Sequence, residues 1–200
     1  PVDPEIAAIA ESAAGAFAAA FDAELELAAP EIGDTQEIFG ALVALDTDRN
    51  GLRKMAAASG SGFTPQLARL LEIRWTADDF TNAILQRKRV NNVLWRFMER
   101  FDLLLTPTCS IGAFPIDSEG PDTVGGAAIY PGQWTPFSAL ANLTGQPAAS
   151  VPAGFTSDGR PVGLQIMGRH LDDPGVLRAA AGFEQIRPWR HLWPSLVREA

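Results

Sequence analysis

The stretch from Trp134 to Met167, WTPFSALANLTGQPAASVPAGFTSDGRPVGLQIM, decides the fold. It predicts a short helix, a Gly-Gln-Pro turn and two strands joined by a tight hairpin. The Asp158-Gly159 pair is a dipeptide that tight hairpin turns favour. We expect the first strand to lose a ladder partner and end at Pro152, because proline has no N–H to donate. Gly163 indicates a place in the second strand where another backbone comes close.

A further strand signal precedes this stretch. Residues 102–108, DLLLTPT, form a continuous apolar run that ends at a proline turn, and such a run predicts a central strand covered on both faces. A long helix is predicted before it, from a capping-box-like start at Thr76 and Asp79 through Arg100. The loop of residues 110–132 is rich in glycine and proline. It is long for a compact domain, so it is a candidate lid or pocket rim.

The first quarter of the chain predicts helices and one short strand. Asp3, Pro4 and Glu5 predict a helix start with an aspartate cap. Residues 24–27 alternate polar and apolar, which predicts a short strand ending near Pro30. A helix followed directly by a strand is typical of half a βαβ unit, so we expect the chain to begin in the middle of a fold. Residues 35–58 are helical in character, with a predicted break at Asn50-Gly51.

Composition excludes several classes of function. The chain has 200 residues, 46% of them hydrophobic, which suffices for one domain or a large piece of one. The net charge of −8 argues against a nucleic-acid partner. Cys109 is the single cysteine, which favours a reducing, cytoplasmic location. No signal peptide or membrane span is indicated, and no dinucleotide-binding, P-loop or CxxC pattern is present, so no membrane partner, cofactor or metal is predicted.

The order of residues in this region resembles the C-terminal part of the amidase-signature family of serine amide hydrolases. The matching segments are residues 102–108, 135–137, 142–148, 151–155 and 159–165. The resemblance implies an α/β fold with a mixed, largely parallel sheet covered by helices. It also implies that residues 1–200 are the C-terminal portion of a single domain whose catalytic N-terminal half is absent from the chain.

The catalytic groups of that family are not found in this sequence. The resemblance implies acyl transfer through a Ser–Ser–Lys triad, with backbone N–H groups holding the oxyanion. In the family the lysine precedes the two serines by many tens of residues, whereas Lys54 lies only a few residues before Ser59 and Ser61. We therefore assign no catalytic residue in the chain and expect the chain alone to be inactive.

The resemblance does imply a substrate-binding wall, since the family places the C-terminal end of the strand at residues 102–108 beside the substrate cavity. The implied wall residues are Thr106, Thr108, Cys109, Trp134, Thr135 and Ser138. A nucleophilic role for Cys109 would need a histidine base, and neither His170 nor His191 lies in a recognisable motif. An inert, buried cysteine is the favoured interpretation.

Three functions remain open. The first is the C-terminal part of an amidase, which would meet a small-molecule amide and the N-terminal half of the same protein. The second is the A subunit of a tRNA-dependent amidotransferase, which shares the signature. That subgroup usually carries an acid shortly before the threonine of the signature window, whereas Gln133 and Trp134 precede Thr135 here. The third is a non-enzymatic interaction module. A homodimer is a further possible partner, because a divided sheet exposes strand edges and apolar faces.

Overall fold

A computed structural model of the chain describes residues 1–60, 62–130, 132–193 and Val197, with the side chains of residues 36 and 37 left out. The chain forms two compact units. The first combines Pro1–Ala29 with Trp95–Ala200, and the second is Pro30–Leu94. All of the predicted wall residues belong to the first unit.

Helix α1, Pro4–Phe21, begins as the sequence predicts. The Asp3 carboxylate accepts the backbone N–H groups of Glu5 at 2.9 Å and Ile6 at 3.3 Å, which satisfies two of the free donors of the first turn. The strand predicted at residues 24–27 is wrong, because residues 23–35 form no strand. Leu25 is 53% exposed and Leu27 is fully exposed, so the alternating pattern has no core to bury its apolar half.

The second unit is helical. Its helices are α2 at Gln36–Asp46, α3 at Arg49–Ser59, α4 at Pro65–Glu72 and most of α5 at Ala77–Met98. The break lies at Thr47 and Asp48 rather than at Asn50-Gly51, because the Asp48 carboxylate accepts the Gly51 N–H at 2.9 Å and starts α3 earlier. The predicted capping box of α5 is confirmed, since Thr76 N donates to Asp79 at 2.8 Å and Asp79 N donates to the Thr76 hydroxyl at 3.2 Å.

The rest of the first unit carries the sheet. After α5 come β1 at Leu103–Pro107, a small hairpin of β2 at Thr123–Val124 and β3 at Ala127–Ala128, then α6 at Pro136–Thr144. Strands β4 at Ala148–Phe155 and β5 at Pro161–Gly168 follow, and α7 at Asp173–Ile186 and a 3₁₀ turn at Arg190–Leu192 come last. The three long strands pair in the order β1-β5-β4.

The α/β class is confirmed, but three details of the sheet differ from expectation. Both described pairings of the long strands are antiparallel, so the parallel part of the implied sheet is not formed among these strands. Strand β1 lies at the edge of the described sheet and β5 is central. Strand β4 does not end at Pro152 but continues to Phe155 through a bulge at Pro152 and Gly154. Strand β4 is an edge strand, so the nitrogen of Pro152, which has no hydrogen to donate, can face away from the neighbouring strand.

The sheet has two different faces. Side chains of β5 alternate between them, and Val162, Leu164 and Ile166 lie in one buried cluster with residues of α1 and α7. The rings of Phe17 in α1 and Phe183 in α7 stack in the same cluster, with their centroids 6.3 Å apart. Gly163 and Gln165, which alternate with these three residues of β5, point to the opposite, second face. That face carries the candidate site.

Candidate functional site

Thr106 lies on the second face of the sheet at the end of β1. It pairs directly with Gln165 of β5 in the strand register. Gln165 is 4% exposed, and its side-chain nitrogen lies 3.3 Å from the Thr106 hydroxyl oxygen and 3.3 Å from the Phe137 carbonyl of α6. One buried carboxamide therefore contacts both β1 and the first turn of α6.

Thr108 follows β1 and meets a side chain of β4 across the central strand. Its hydroxyl oxygen lies 2.6 Å from the Ser150 hydroxyl oxygen. The pair sits over Gly163, where an added Cβ would be 2.6 Å from the Thr108 oxygen and 2.7 Å from the Ser150 oxygen. The close approach expected at Gly163 is thus made by two hydroxyl groups, not by another backbone. Glycine is required here because no side chain fits beneath the pair.

Trp134 closes the long loop that follows β1. Ser110, at the start of the loop, is 1% exposed, and it donates to the Trp134 carbonyl from its backbone N–H at 2.9 Å and from its hydroxyl at 3.1 Å. The indole ring of Trp134 meets Phe114 edge to face, with ring centroids 5.2 Å apart. Gly120 packs so closely that an added Cβ would be 3.1 Å from the indole. Hydrogen bonds therefore join the two ends of the loop, and the contact between Phe114 and Trp134 stabilises its conformation.

Thr135 and Ser138 belong to the start of α6. Thr135 occupies the N-cap position, but its side chain makes no capping hydrogen bond. The Ser138 hydroxyl donates back to the Thr135 carbonyl at 3.2 Å. Both residues are half-buried, so they border the site without being sealed in the core.

Cys109 is half-buried and forms no disulfide. Burial raises the pKa of its thiol, which keeps the sulfur protonated and poorly nucleophilic at neutral pH. This direction agrees with the interpretation of Cys109 as an inert cysteine.

The structure joins the segments that carry the predicted residues in two places. Ser110 joins the end of the β1 segment to Trp134, and Gln165 joins Thr106 to the start of α6. Sequence reasoning did not assign Ser110, Ser150 or Gln165 to the site. Their roles depend on which strands pair and in which register, and no local pattern carries that information.

The alternative serines near Lys54 remain without support. The Ser59 hydroxyl donates to the Ala56 carbonyl within α3 at 3.2 Å. Ser61 lies outside the described residues.

A separate cleft of about 400 Å³ opens at the other side of the long loop, beside the start of α1. Two charged side chains of its lining, Arg160 and Glu5, already have partners in neighbouring segments. The Arg160 guanidinium donates to the Asp158 carboxylate and to the Ala113 carbonyl, and the Glu5 carboxylate accepts the Ser157 N–H at 2.6 Å. The hydrogen bond from Arg160, helped by one from a threonine, holds the pKa of Asp158 well below its usual value. These contacts brace the β4–β5 turn.

The described part of the chain contains neither a candidate membrane span nor a candidate metal site. Within it, no helix combines the length and the apolar character needed to cross a bilayer. Over the same residues, no group of three or more His, Cys, Asp or Glu side chains is arranged to hold a metal ion.

Taken together, the fold and the site define an α/β protein with one apolar, helix-covered sheet face and one polar face bordered by a helix start and a long loop. A family model described as Amidase matches residues 5–177. The chain belongs to the amidase family, in agreement with its resemblance to amidase-signature enzymes.

Individual proteins with similar sequences include an acylamidase and an amidotransferase subunit. The chain is 33% identical over 201 residues to an acylamidase of Rhodococcus erythropolis, and the match covers 97% of this chain and 41% of that protein. It is 44% identical over 111 residues to the A subunit of the glutamyl-tRNA(Gln) amidotransferase of Pseudothermotoga lettingae, covering 55% of this chain and 22% of that protein.

Solved structures share the fold. A bacterial aryl acylamidase of the amidase-signature family matches with a TM-score of 0.82 and 28% identity, over 96% of this chain and 42% of that one. A 6-aminohexanoate cyclic dimer hydrolase matches with a TM-score of 0.76 and 25% identity, over 98% of this chain and 44% of that one. The chain thus spans about two fifths of the length of these relatives.

Proposed function

We propose that the chain is the C-terminal portion of an amidase that hydrolyses carboxylic amides to acid and amine. The observation that carries the proposal is the similarity to an acylamidase, which is 33% identical over 97% of this chain. In this proposal the nucleophile, its base and the oxyanion donors lie in an N-terminal half of the same protein. The chain alone is inactive and contributes a wall of the substrate pocket.

The wall consists of Thr106, Thr108, Cys109, Trp134, Thr135 and Ser138. Its hydroxyl groups suit the polar amide, and the Trp134 ring suits an apolar or aromatic substituent. The name of the solved relative, an aryl acylamidase, is consistent with an aromatic amide as substrate. Binding groups of this kind accelerate hydrolysis by placing the carbonyl carbon within reach of the nucleophile.

The N-terminal half is also the proposed physical partner. Strand β1 pairs only with β5 among the described strands, and an open strand edge is a template for another strand. All five residues of β1 are half-buried rather than sealed. Pairing with strands from the N-terminal half would cover this edge. A homodimer is the other arrangement that would cover it, and a cytoplasmic location agrees with the single free thiol.

The A subunit of a tRNA-dependent amidotransferase is the second candidate. It is favoured by the 44% identity to one such protein, although that match covers only 55% of the chain. Against it stand Gln133 and Trp134, which occupy the positions where this subgroup usually carries an acid. An interaction module that has lost the active half is the third candidate.

The decisive experiment begins with the reading frame upstream of Pro1. The proposal requires a glycine- and serine-rich segment with two serines and, well before it, a lysine. The whole protein is then expressed and assayed with an aromatic anilide, and in parallel for glutamine-dependent transamidation of Glu-tRNA. We expect anilide hydrolysis that is abolished by a Ser→Ala change in the upstream segment. Transamidation without hydrolysis would instead identify the amidotransferase, and absence of the triad would leave the interaction module.

A further inference from the structure

Gln165 touches both borders of the candidate pocket. It comes from the central strand, is 4% exposed, and reaches the Thr106 hydroxyl of β1 and the Phe137 carbonyl of α6, each at 3.3 Å. We infer that Gln165 is a positioning residue that fixes the separation of these two borders and thereby the fit of the amide substrate. The substrate side of this inference rests on the proposed function.

The position of Gln165 is itself well fixed. Strand β5 is bonded on one side to β1 and on the other to β4, and Gln165 stands in register between Thr106 and Ser150. The apolar neighbours Leu164 and Ile166 anchor the opposite face in the core at 1% and 0% exposure. A side chain that starts from such a rigid backbone can hold a less rigid element in place.

The start of α6 is the element that needs holding. Its N-cap residue, Thr135, makes no side-chain capping bond, and Pro136 provides no N–H. The carbonyl of Phe137 has two lone pairs, so it can accept from Gln165 in addition to its helical partner. Because Trp134 and Thr135 lead directly into this turn, a shift of the helix start moves two predicted wall residues.

The chain offers a matched pair of glutamines for the test. Gln165→Met keeps the length and volume of the side chain but removes both donors. Gln146 is also buried, at 8% exposure, yet its side-chain oxygen has no hydrogen-bond partner among the described residues. Gln146→Met is therefore the control for burying methionine in place of glutamine. Thr106→Val removes only the β1 partner of the bridge.

Hydrogen exchange of the 200-residue chain measures the positioning without any need for activity. In Gln165→Met we expect amide exchange in the first two turns of α6 and at the end of β1 to accelerate about fivefold, which corresponds to one lost hydrogen bond. Exchange at residues 154–162 of the hairpin should stay unchanged. Thr106→Val should accelerate exchange at β1 only, and Gln146→Met should accelerate neither. Equal acceleration at all sites, or none at α6, would overturn the inference.

The consequence for substrate is measured in the whole protein. Because the nucleophile lies elsewhere, Gln165→Met should raise KM for an anilide about fivefold and change kcat by less than about twofold, whereas Gln146→Met should leave both unchanged. An unchanged KM in an active protein would overturn the positioning role while leaving the amidase function intact. A whole protein without amidase activity, combined with the expected exchange pattern, would overturn the substrate role and leave only a structural bridge.

Discussion

Gly163 is a position where a single added methyl group should destabilise the fold. In Gly163→Ala the new Cβ would lie 2.6 Å from the Thr108 hydroxyl oxygen, 2.7 Å from that of Ser150 and 3.1 Å from the Thr108 Cβ. Both hydroxyls sit on short side chains close to their backbones, so neither can swing aside without a change of rotamer or a shift of its strand. The backbone angle of Gly163 is not left-handed, so strain in φ plays no part.

The magnitude follows from three contributions. Forcing extra volume against neighbouring atoms costs about 1–3 kcal/mol in a packed core, and the lower end applies here because Ser150 is exposed. Separating the Thr108 and Ser150 hydroxyls, which are 2.6 Å apart, costs a further ~0.5–1.5 kcal/mol. Replacing glycine by alanine returns about 0.5–1 kcal/mol through the smaller backbone entropy of the unfolded chain. The free energy of unfolding should therefore fall by roughly 0.5–4 kcal/mol, and a loss of 2 kcal/mol lowers Tm by about 4–8 °C in a chain of this size.

Urea and thermal unfolding followed by circular dichroism measure this change. Gly15→Ala is the control, because Gly15 lies inside α1 with nothing within 4 Å of an added Cβ, and that change should stabilise the chain by up to about 1 kcal/mol. Adding Ser150→Ala to Gly163→Ala removes one of the two clashing oxygens and should restore part of the loss. A Gly163→Ala variant as stable as the parent would refute the close approach of the two hydroxyls.

Three other predictions concern side chains that hold loops and turns of the first unit in place. Ser110→Ala removes the hydroxyl bond to the Trp134 carbonyl and should lower the free energy of unfolding by ~0.5–1.5 kcal/mol, with faster exchange confined to the long loop. Asp158 has a lowered pKa, so its contribution is present above the usual value near 3.8 and is lost as the pH falls; the Tm advantage of the parent over Asp158→Asn should therefore shrink between pH 7 and pH 2.5. Arg169 donates to two backbone carbonyls at 3.0 and 3.1 Å, so Arg169→Met should cost about 1.5–3 kcal/mol in urea unfolding. Loss of its exposed ion-pair partner in Asp102→Asn should cost under about 1 kcal/mol, and equal losses would contradict this division.

The features predicted correctly from sequence are those that a few neighbouring residues determine. Asp3 caps its own helix, Thr76 and Asp79 bond to each other, and Asp158-Gly159 closes the hairpin, where Gly159 has a φ of 84°. Each of these contacts spans four residues or fewer, so the sequence pattern contains the whole interaction.

The errors concern competition and long-range pairing. Residues 24–27 alternate between polar and apolar side chains but have no neighbouring strand to pair with. A period of two in the sequence does not show whether such a partner exists. The break before α3 lies at Asp48 and not at the predicted Asn50-Gly51, because the Asp48 carboxylate caps a helix that then runs through the glycine. The apolar run of β1 predicted a central strand, but in the described sheet the central place belongs to β5. For the site, the resemblance supplied the β1 threonines, whereas their partners Ser150 and Gln165 emerge only from the register of three strands.

That register links the core to the candidate pocket. On β5, Val162, Leu164 and Ile166 face the helices, while Gly163 and Gln165 face the hydroxyl groups on the second face of the sheet. A slip of one residue would exchange the two rows, since side chains alternate with a period of two. It would expose side chains whose burial is worth about 1.5–3 kcal/mol each and would bury the Gln165 carboxamide without its partners, at a cost of about 1–3 kcal/mol. The same apolar residues that stabilise the sheet therefore also set the positions of the hydroxyl and amide groups that line the candidate substrate site.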